Sequence, residues 1–162
     1  MFVAEETHRL SQTVSHRSLK DLQVPLETTL PIGIAENSSE LHLLLTRKGQ
    51  PRYIEKLERE LFTPLIDIGF LVVDPRELSL AQQILLFRKA TVLVGFHGGA
   101  MSNMVFMPER SQVFEIYAEG YDGFNPEFFL ELASSGNHRY RTYSKTKFVT
   151  LESIIEDIRA SV

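Results

Sequence analysis

The sequence predicts an α/β fold, a Rossmann-like three-layer sandwich in which helices cover both faces of a mostly parallel sheet. Short apolar runs of strand length alternate along the chain with longer segments of helical periodicity, which is the pattern of successive βαβ units. Continuous apolar runs rich in β-branched residues, such as residues 90–94, are typical of parallel strands buried on both faces. With 162 residues, of which 43% are hydrophobic, the chain is long enough for one domain with a sizeable core.

The first two strands are each followed by a helix. The apolar segment LHLLLT predicts a strand at residues 41–46, and apolar positions at helical spacing predict a helix over residues 52–68. The run FLVV predicts a buried strand at residues 70–73, after which an Asp-Pro pair makes a turn. Ser79 is a typical N-cap, and the apolar residues behind it predict a helix over residues 79–87.

The third strand, residues 90–94, leads through a glycine-rich turn into a short helical segment at residues 101–107, which Pro108 ends. The apolar run QVFEIY predicts a fourth strand at residues 112–117. The remaining elements are a helix, an edge strand and an amphipathic helix, at residues 125–133, 138–143 and 151–160. Residues 1–40 have weak periodicity and are interpreted as a lead-in segment, so that residues 41–162 form the folded domain.

Composition limits the classes of function. The 17 basic and 21 acidic residues give a net charge of -4, so no overall positive field favours nucleic acid or an anionic membrane as a partner. The chain contains no cysteine, which excludes disulfides, thiolate zinc sites and cysteine nucleophiles and is compatible with a reducing compartment. The N-terminal segment lacks a signal-peptide pattern, and no apolar stretch approaches the roughly 20 residues of a membrane span. We therefore expect a cytoplasmic protein without a membrane span.

The predicted ligand site lies beyond the carboxyl ends of the strands, where α/β proteins with parallel sheets bind their ligands. The segment GFHGGAMSN, residues 95–103, joins the third strand to the short helical segment. Backbone amides at such a turn, together with the helix dipole, are typical of a phosphate site, and Gly98 and Gly99 let the backbone approach the ligand closely. The alternative is that the glycines only allow a helix to pack against the sheet.

Two side chains of this turn can form hydrogen bonds at the site. A histidine at the end of a strand, as His97 is, can donate to a phosphate or to a sugar hydroxyl, and the alternative is a structural histidine with an internal partner. Asn103 lies inside the first helical turn, where its amide can tie the turn to a neighbouring loop. We therefore include Asn103 in the site as a supporting residue.

The turn after the first strand carries three cations: Arg47, Lys48 and Arg52. In the predicted sheet this turn faces the glycine-rich turn across one crevice, and arginine replaces the hydration of a diphosphate with a bidentate pair of donors. The alternative is a solvated charged turn, because lysine and arginine are mostly exposed.

Glu115 interrupts the apolar strand VFEIY near its carboxyl end. A buried carboxylate at that position needs a partner, and acids at strand ends of nucleotide-binding α/β proteins accept hydrogen bonds from ribose hydroxyls. The alternative is a side chain that faces solvent, since strand residues alternate between faces. The histidines show no ligand spacing, so we expect no metal site.

Several well-known motifs are absent. The sequence has no GxxxxGK[ST] loop of a P-loop NTPase, and GFHGGAM lacks the GxGxxG order of a dinucleotide-binding fold. An HGG turn also occurs in esterase oxyanion holes, but the GxSxG elbow that supplies the nucleophile of such enzymes is missing.

The motifs that are present resemble glycosyltransferase family 61. The resemblance covers residues 41–143 and is most specific between Gly69 and Tyr117, which reads GFLVVDPRELSLAQQILLFRKATVLVGFHGGAMSNMVFMPERSQVFEIY. Family members carry a similar VVDPEELS-like segment, a G-x-HGAGLTN-like turn, a proline stop and a V-x-E strand, preceded by two arginines like Arg47 and Arg52. The family includes enzymes of bacterial capsular polysaccharide synthesis, plant xylosyltransferases and EGF-domain O-linked GlcNAc transferases.

The resemblance implies the C-terminal half of a GT-B glycosyltransferase, in which two α/β domains face each other and the C-terminal one holds the nucleotide sugar. It implies that the diphosphate is surrounded by Arg47, Arg52, His97, Gly98 and Gly99, and that Glu115 binds the ribose. It further implies an inverting, metal-independent transfer from a nucleotide sugar to a glycan or protein acceptor in surface or capsular polysaccharide synthesis. We expect the nucleotide sugar to be a UDP-sugar. The acceptor would be bound by an N-terminal domain or a partner chain.

Two alternatives to an active donor domain are left open. The first is a degenerate or split half that binds a nucleotide diphosphate but transfers nothing alone. The second is a non-catalytic scaffold domain, in which the glycines serve only to pack the segment against the sheet.

Overall fold

The computed structural model describes residues 21–31, 40–51, 53–117, 127–144 and 149–162. The strands in these residues are β1 Leu41–Leu45, β2 Leu71–Val73, β3 Ala90–Phe96, β4 Gln112–Tyr117 and β5 Arg139–Ser144. The α-helices are α1 Glu55–Ile66, α2 Leu80–Phe87, α3 Glu127–Ser135 and α4 Leu151–Arg159. Two 3-10 helices cover Pro75–Glu77 and Gly99–Phe106. The order of elements is the predicted one, and most bounds differ from the predicted bounds by only a few residues.

The five strands form one sheet in the order β2-β1-β3-β4-β5, and every neighbouring pair is parallel. This confirms the predicted α/β class and the parallel sheet. β5 lies at one edge of the sheet, as predicted, and pairs with β4 from Arg139 to Ser144.

Helices cover both faces of the sheet and enclose two apolar clusters. On one face, α1 and α4 pack against strand residues that include Leu44 and Val94. On the other face, α2, α3 and the 3-10 helix Gly99–Phe106 pack against strand residues that include Leu43 and Leu93. Adjacent residues of a strand point to opposite faces, so a strand that is covered on both faces is apolar at almost every position. The predicted three-layer sandwich is therefore confirmed.

The strand order creates a crevice between β1 and β3. These strands are neighbours in the sheet, but β1 leads to α1 on one face and β3 leads to the 3-10 helix Gly99–Phe106 on the other. The two connections therefore diverge above the carboxyl ends of β1 and β3. Such a switch point is where open parallel α/β sheets bind ligands.

Helix starts are specified locally by capping residues. Ser79 Oγ accepts a hydrogen bond from the Gln82 amide at 3.3 Å, and Gln82 Oε1 accepts one from the Ser79 amide at 2.9 Å. This reciprocal capping box confirms the predicted N-cap. Thr150 and Ser153 form a second capping box at the start of α4.

Among the described residues, no helix combines the length and the apolar character that crossing a membrane requires.

Part of the lead-in segment packs against the domain. Val24 and Leu30 contact the apolar cluster that α2 covers. Gln82 Nε2 donates to the Thr29 carbonyl at 3.0 Å, and Arg88 Nη2 donates to the Leu22 carbonyl at 2.6 Å. The predicted boundary at residue 40 stays a prediction, since residues 1–20 and 32–39 lie outside the described part of the chain.

Candidate functional site

Arg47 connects the two sides of the crevice. It follows the end of β1, and its Nη1 donates a hydrogen bond to the carbonyl oxygen of His97, which follows the end of β3. Nη2 donates to the Pro51 carbonyl at 3.1 Å, which holds the guanidinium against its own turn. The side chain is half-buried. The two predicted site residues are therefore in direct contact, although 50 positions separate them in the sequence.

The glycines of the GFHGGAMSN segment have different structural roles. A Cβ atom at Gly95 would lie 2.9 Å from Sδ of Met101 and 3.2 Å from Cβ of Leu45, so this glycine lets the 3-10 helix pack onto β1 and β3. A Cβ atom at Gly98 would lie 3.4 Å from the guanidinium carbon of Arg47, whereas one at Gly99 would meet no atom within 4 Å. The packing alternative is thus correct for Gly95, and the diphosphate role of Gly98 and Gly99 stays a prediction.

The segment after these glycines is a 3-10 helix rather than an α-helix. It begins at Gly99, two residues before the predicted start, and the Met101 amide donates to the Gly98 carbonyl at 3.0 Å. The amides of Gly99 and Ala100 precede the first amide that has an acceptor within the helix, so they have no partner in the helix itself. Asn103 Nδ2 donates to the Ala100 carbonyl at 3.2 Å, so this side chain supports the first turn.

Glu115 is fully buried and contacts the His97 imidazole. Its side chain has no exposed surface, and Oε1 lies 2.6 Å from Nδ1 of His97. The Tyr117 hydroxyl donates to Oε2 at 3.2 Å, and the Tyr140 hydroxyl donates to the same oxygen. The alternative of a solvent-facing carboxylate is therefore wrong. Both carboxylate oxygens accept hydrogen bonds from within the domain, and the predicted ribose contact stays a prediction.

The surroundings of His97 fix the orientation of its ring. The imidazole stacks on Tyr117 with centroids 4.7 Å apart and meets the edge of Phe129 at 5.5 Å. Because Nδ1 faces a carboxylate, we assign the Nδ1 hydrogen to that contact, which leaves Nε2 on the opposite side of the ring. The side chain is 19% exposed, so the imidazole reaches the surface of the domain. Burial, followed by the hydrogen bond and charge of Glu115, raises the pKa of Tyr140 far above the usual tyrosine range, so that Tyr140 remains a donor.

A third connection, the Asp-Pro turn after β2, supports the turn after β1. Asp74 Oδ1 accepts hydrogen bonds from the Arg76 amide at 3.0 Å and from Arg76 Nε at 2.9 Å. These side-chain contacts lower the pKa of the Asp74 carboxyl. Arg76 Nη2 donates in turn to the Lys48 carbonyl. The Lys48 side chain itself is exposed.

The structure brings together most of the predicted site residues. Arg47, His97, Gly98 and Glu115 form one chain of contacts across the crevice, and Gly99 and Asn103 belong to the next turn. Arg52 lies outside the described residues, so its predicted role stays a prediction.

Within the described residues, no group of His, Cys, Asp or Glu side chains is arranged to hold a metal ion. Sequence reasoning missed the supporting side chains Glu58, Tyr117 and Tyr140.

The fold and the site together define a doubly wound α/β protein with a cluster of polar contacts at its switch point. Residues 2–114 match the model of the family described as glycosyltransferase 61. The chain belongs to this family, which confirms the resemblance carried by the sequence motifs.

Two further comparisons describe what the chain is similar to. It is 27% identical over 77 residues to the EGF domain-specific O-linked N-acetylglucosamine transferase of Drosophila melanogaster. This match spans 48% of the chain but only 14% of the relative. The fold is similar to that of diflavin flavoprotein A3 from Nostoc sp., with a TM-score of 0.53 and 15% identity over 72% of this chain and 84% of the other. At that identity the likeness concerns the fold alone.

Proposed function

We propose that this chain is the nucleotide-sugar-binding donor domain of an inverting, metal-independent GT-B glycosyltransferase, with a UDP-sugar as donor. The proposed process is surface or capsular polysaccharide synthesis. One observation carries the proposal: the hydrogen bond from Arg47 to the His97 carbonyl joins the cationic turn after β1 to the glycine turn after β3. A cation, an imidazole and the leading amides of a helix thereby meet at the switch point of a parallel sheet, in a chain of glycosyltransferase family 61.

The chemistry of this arrangement suits a diphosphate. A diphosphate loses its hydration only where other donors replace the water, and arginine and backbone amides are such donors. We assign Arg47, His97 and the amides of Gly98 and Gly99 to the diphosphate, with Arg52 as a further cation of the same turn. Asn103 holds the first turn that carries these amides.

In the proposed transfer, an acceptor hydroxyl attacks the anomeric carbon of the sugar from the face opposite the diphosphate. The bond between that carbon and the diphosphate oxygen breaks, and the departing diphosphate takes the electron pair. Arg47 and His97 stabilise the charge that develops on this leaving group. The base that takes the hydroxyl proton, and the site for the glycan or protein acceptor, lie in our proposal on an N-terminal domain or a partner chain.

The role we propose for Glu115 is to orient His97. Its carboxylate contacts Nδ1 of the ring and accepts hydrogen bonds from two tyrosine hydroxyls. An imidazole held by a buried carboxylate keeps one orientation and one tautomer.

Calorimetric titration of the chain with UDP, with uridine as the control ligand, tests this proposal. We expect UDP to bind, and we expect Arg47→Ala to weaken UDP binding at least tenfold, in line with about 1.5–3 kcal/mol for a hydrogen bond to a charged group. Arg139→Ala is the matched control, because Arg139 is exposed and begins β5 at the opposite edge of the sheet. If the wild-type chain does not bind UDP, or if Arg47→Ala binds it unchanged, the donor-site proposal is wrong.

The alternative of a half that binds without transferring has one observation in its favour. The matched region makes up only 14% of the curated relative. Binding of UDP without hydrolysis or transfer of a UDP-sugar by the isolated chain would support this alternative. For a scaffold domain, UDP would not raise the melting temperature, whereas a site filled at ~100 times its dissociation constant gains ~2.7 kcal/mol.

A further inference from the structure

Glu58 is a buried carboxylate for which the proposed function so far has no role. It lies in the first turns of α1 and is 8% exposed. Burying a charged group is costly unless hydrogen bonds compensate for the lost hydration. An acid at this position therefore needs partners within the domain.

Both carboxylate oxygens of Glu58 accept hydrogen bonds from the turn that carries Arg47. Thr46 Oγ1 donates to Oε1 at 2.7 Å, and the Arg47 backbone amide donates to Oε2 at 2.9 Å. The Lys48 amide donates in turn to Thr46 Oγ1 at 3.1 Å. One side chain on α1 thus holds three consecutive residues of the turn, directly or through one hydroxyl.

These contacts fix the backbone position from which the Arg47 side chain extends. The Arg47 Cα follows directly from the amide that Glu58 binds, and the guanidinium then crosses the crevice to the His97 carbonyl. The backbone of the turn is otherwise held by the hydrogen bonds from the Thr46 amide to the Val73 carbonyl, at 3.0 Å, and from the Gln50 amide to the Arg47 carbonyl, at 2.9 Å. Arg76 also donates to the Lys48 carbonyl. In Glu58→Gln only one side-chain oxygen is left to accept, so either the Arg47 amide or the Thr46 hydroxyl loses its acceptor on α1, and the remaining hydrogen bond is no longer charge-assisted.

We propose that Glu58 is a positioning residue that acts through Arg47 on the diphosphate of the donor. The inference rests on the proposed function, because it assigns Glu58 a role in that same site. Glu58 itself touches neither donor nor acceptor. Its effect is to keep the Arg47 guanidinium in place before the ligand arrives, so that binding does not have to order this turn.

The test compares UDP with uridine, which lacks the diphosphate, for the wild-type chain and Glu58→Gln. Calorimetry measures UDP binding, and ligand-observed NMR measures the weaker binding of uridine. We expect Glu58→Gln to weaken UDP binding about tenfold and to leave uridine binding unchanged. Glu60→Gln is the matched control, since Glu60 is an exposed residue of the same helix that pairs with Lys56 at 3.8 Å. It is expected to change neither affinity.

A double-mutant cycle separates positioning from a general loss of structure. If Glu58 acts through Arg47, then Glu58→Gln has no further effect on UDP binding in an Arg47→Ala background. Equal loss of UDP and uridine binding, or an unchanged affinity for UDP, would overturn the inference while the wild-type chain still binds UDP. If the wild-type chain itself fails to bind UDP, the proposed function fails and this inference fails with it.

A second variant provides the answer if Glu58→Gln does not fold. Thr46→Val keeps the shape of the side chain and removes the hydroxyl that donates to Oε1. We expect a loss of UDP affinity of a few-fold with no change for uridine. Unchanged UDP affinity in a folded Thr46→Val protein would then overturn the inference.

Discussion

The close approach at Gly95 gives a stability prediction that does not depend on the ligand. In Gly95→Ala, the new methyl group would lie 2.9 Å from Met101 Sδ and 3.2 Å from Leu45 Cβ. Met101 is fully buried and Leu45 is 2% exposed, so neither side chain has open space to move into. The Leu45 Cβ is fixed by its own backbone, so relief requires both β1 and the 3-10 helix to move away from Gly95 on β3.

Overpacking of this kind costs about 1–3 kcal/mol, which corresponds to a fall in Tm of roughly 2–12 °C for a domain of this size. Differential scanning calorimetry of the purified chain measures the change directly. Gly99→Ala is the matched control in the same segment, because a Cβ atom there would meet nothing within 4 Å. We expect its Tm to stay within about 2 °C of the wild-type value.

Two outcomes would refute this reasoning. A Gly95→Ala protein as stable as the wild type would mean that the close contact between the 3-10 helix and β1 does not exist in solution. An equal loss in Gly99→Ala would mean that the segment tolerates no side chain at all, whatever the space around it.

Three further predictions concern the polar contacts of β4 and β5. Glu115→Gln is expected to weaken UDP binding by about tenfold, because it removes the charged partner of His97. Calorimetry measures this change, and the control Glu131→Gln, at an exposed acid on α3, should show none. Tyr140→Phe removes a hydroxyl that donates to Glu115 and is expected to lower the free energy of unfolding in urea by about 1.5–3 kcal/mol; an unchanged midpoint would show that this hydrogen bond is not stabilising. Burial and the hydrogen bond to Asp157 raise the pKa of Tyr143 from 10.0 to about 12. Folding therefore favours the protonated phenol. This contribution to stability is complete below pH 10 and disappears as the pH rises from 10 to 12. Urea titrations across that interval should therefore give a shallower loss of stability for Tyr143→Phe than for the wild type, and parallel curves would contradict the assignment.

The fold could be predicted because its strands are buried on both faces. Such strands are apolar at nearly every position, and the fourth predicted strand coincides with β4, Gln112–Tyr117. The helix start at Ser79 was predictable because its capping contacts are local in sequence. The type of the helix at Gly99–Phe106 was not predictable, because apolar spacing over so short a segment does not distinguish the 3-10 helix from the α-helix.

The site could be predicted in its location but not in its internal connections. Arg47, His97 and Glu115 stand at strand ends, and the rule for parallel sheets brings such positions to one edge. The contacts of Glu115 depend on the register of β3, which brings His97 beside it, and on the register of β5, which brings Tyr140 to the same face of the sheet. Glu58 gave no signal, because an acid in the first turns of a helix is common for helix-dipole reasons alone.

The hydrogen bond from Arg47 to the His97 carbonyl also bears on how the crevice is assembled during folding. Its donor and acceptor belong to different βα units, with β2 and α2 between them along the chain. A fragment that ends after α2 contains the guanidinium and the Pro51 carbonyl but not the His97 carbonyl, so ligand recognition emerges only after β3 has docked beside β1. Affinity for the donor is in this sense a reporter of completed folding, and mutations that slow the docking of β3 should delay the appearance of binding in a refolding experiment.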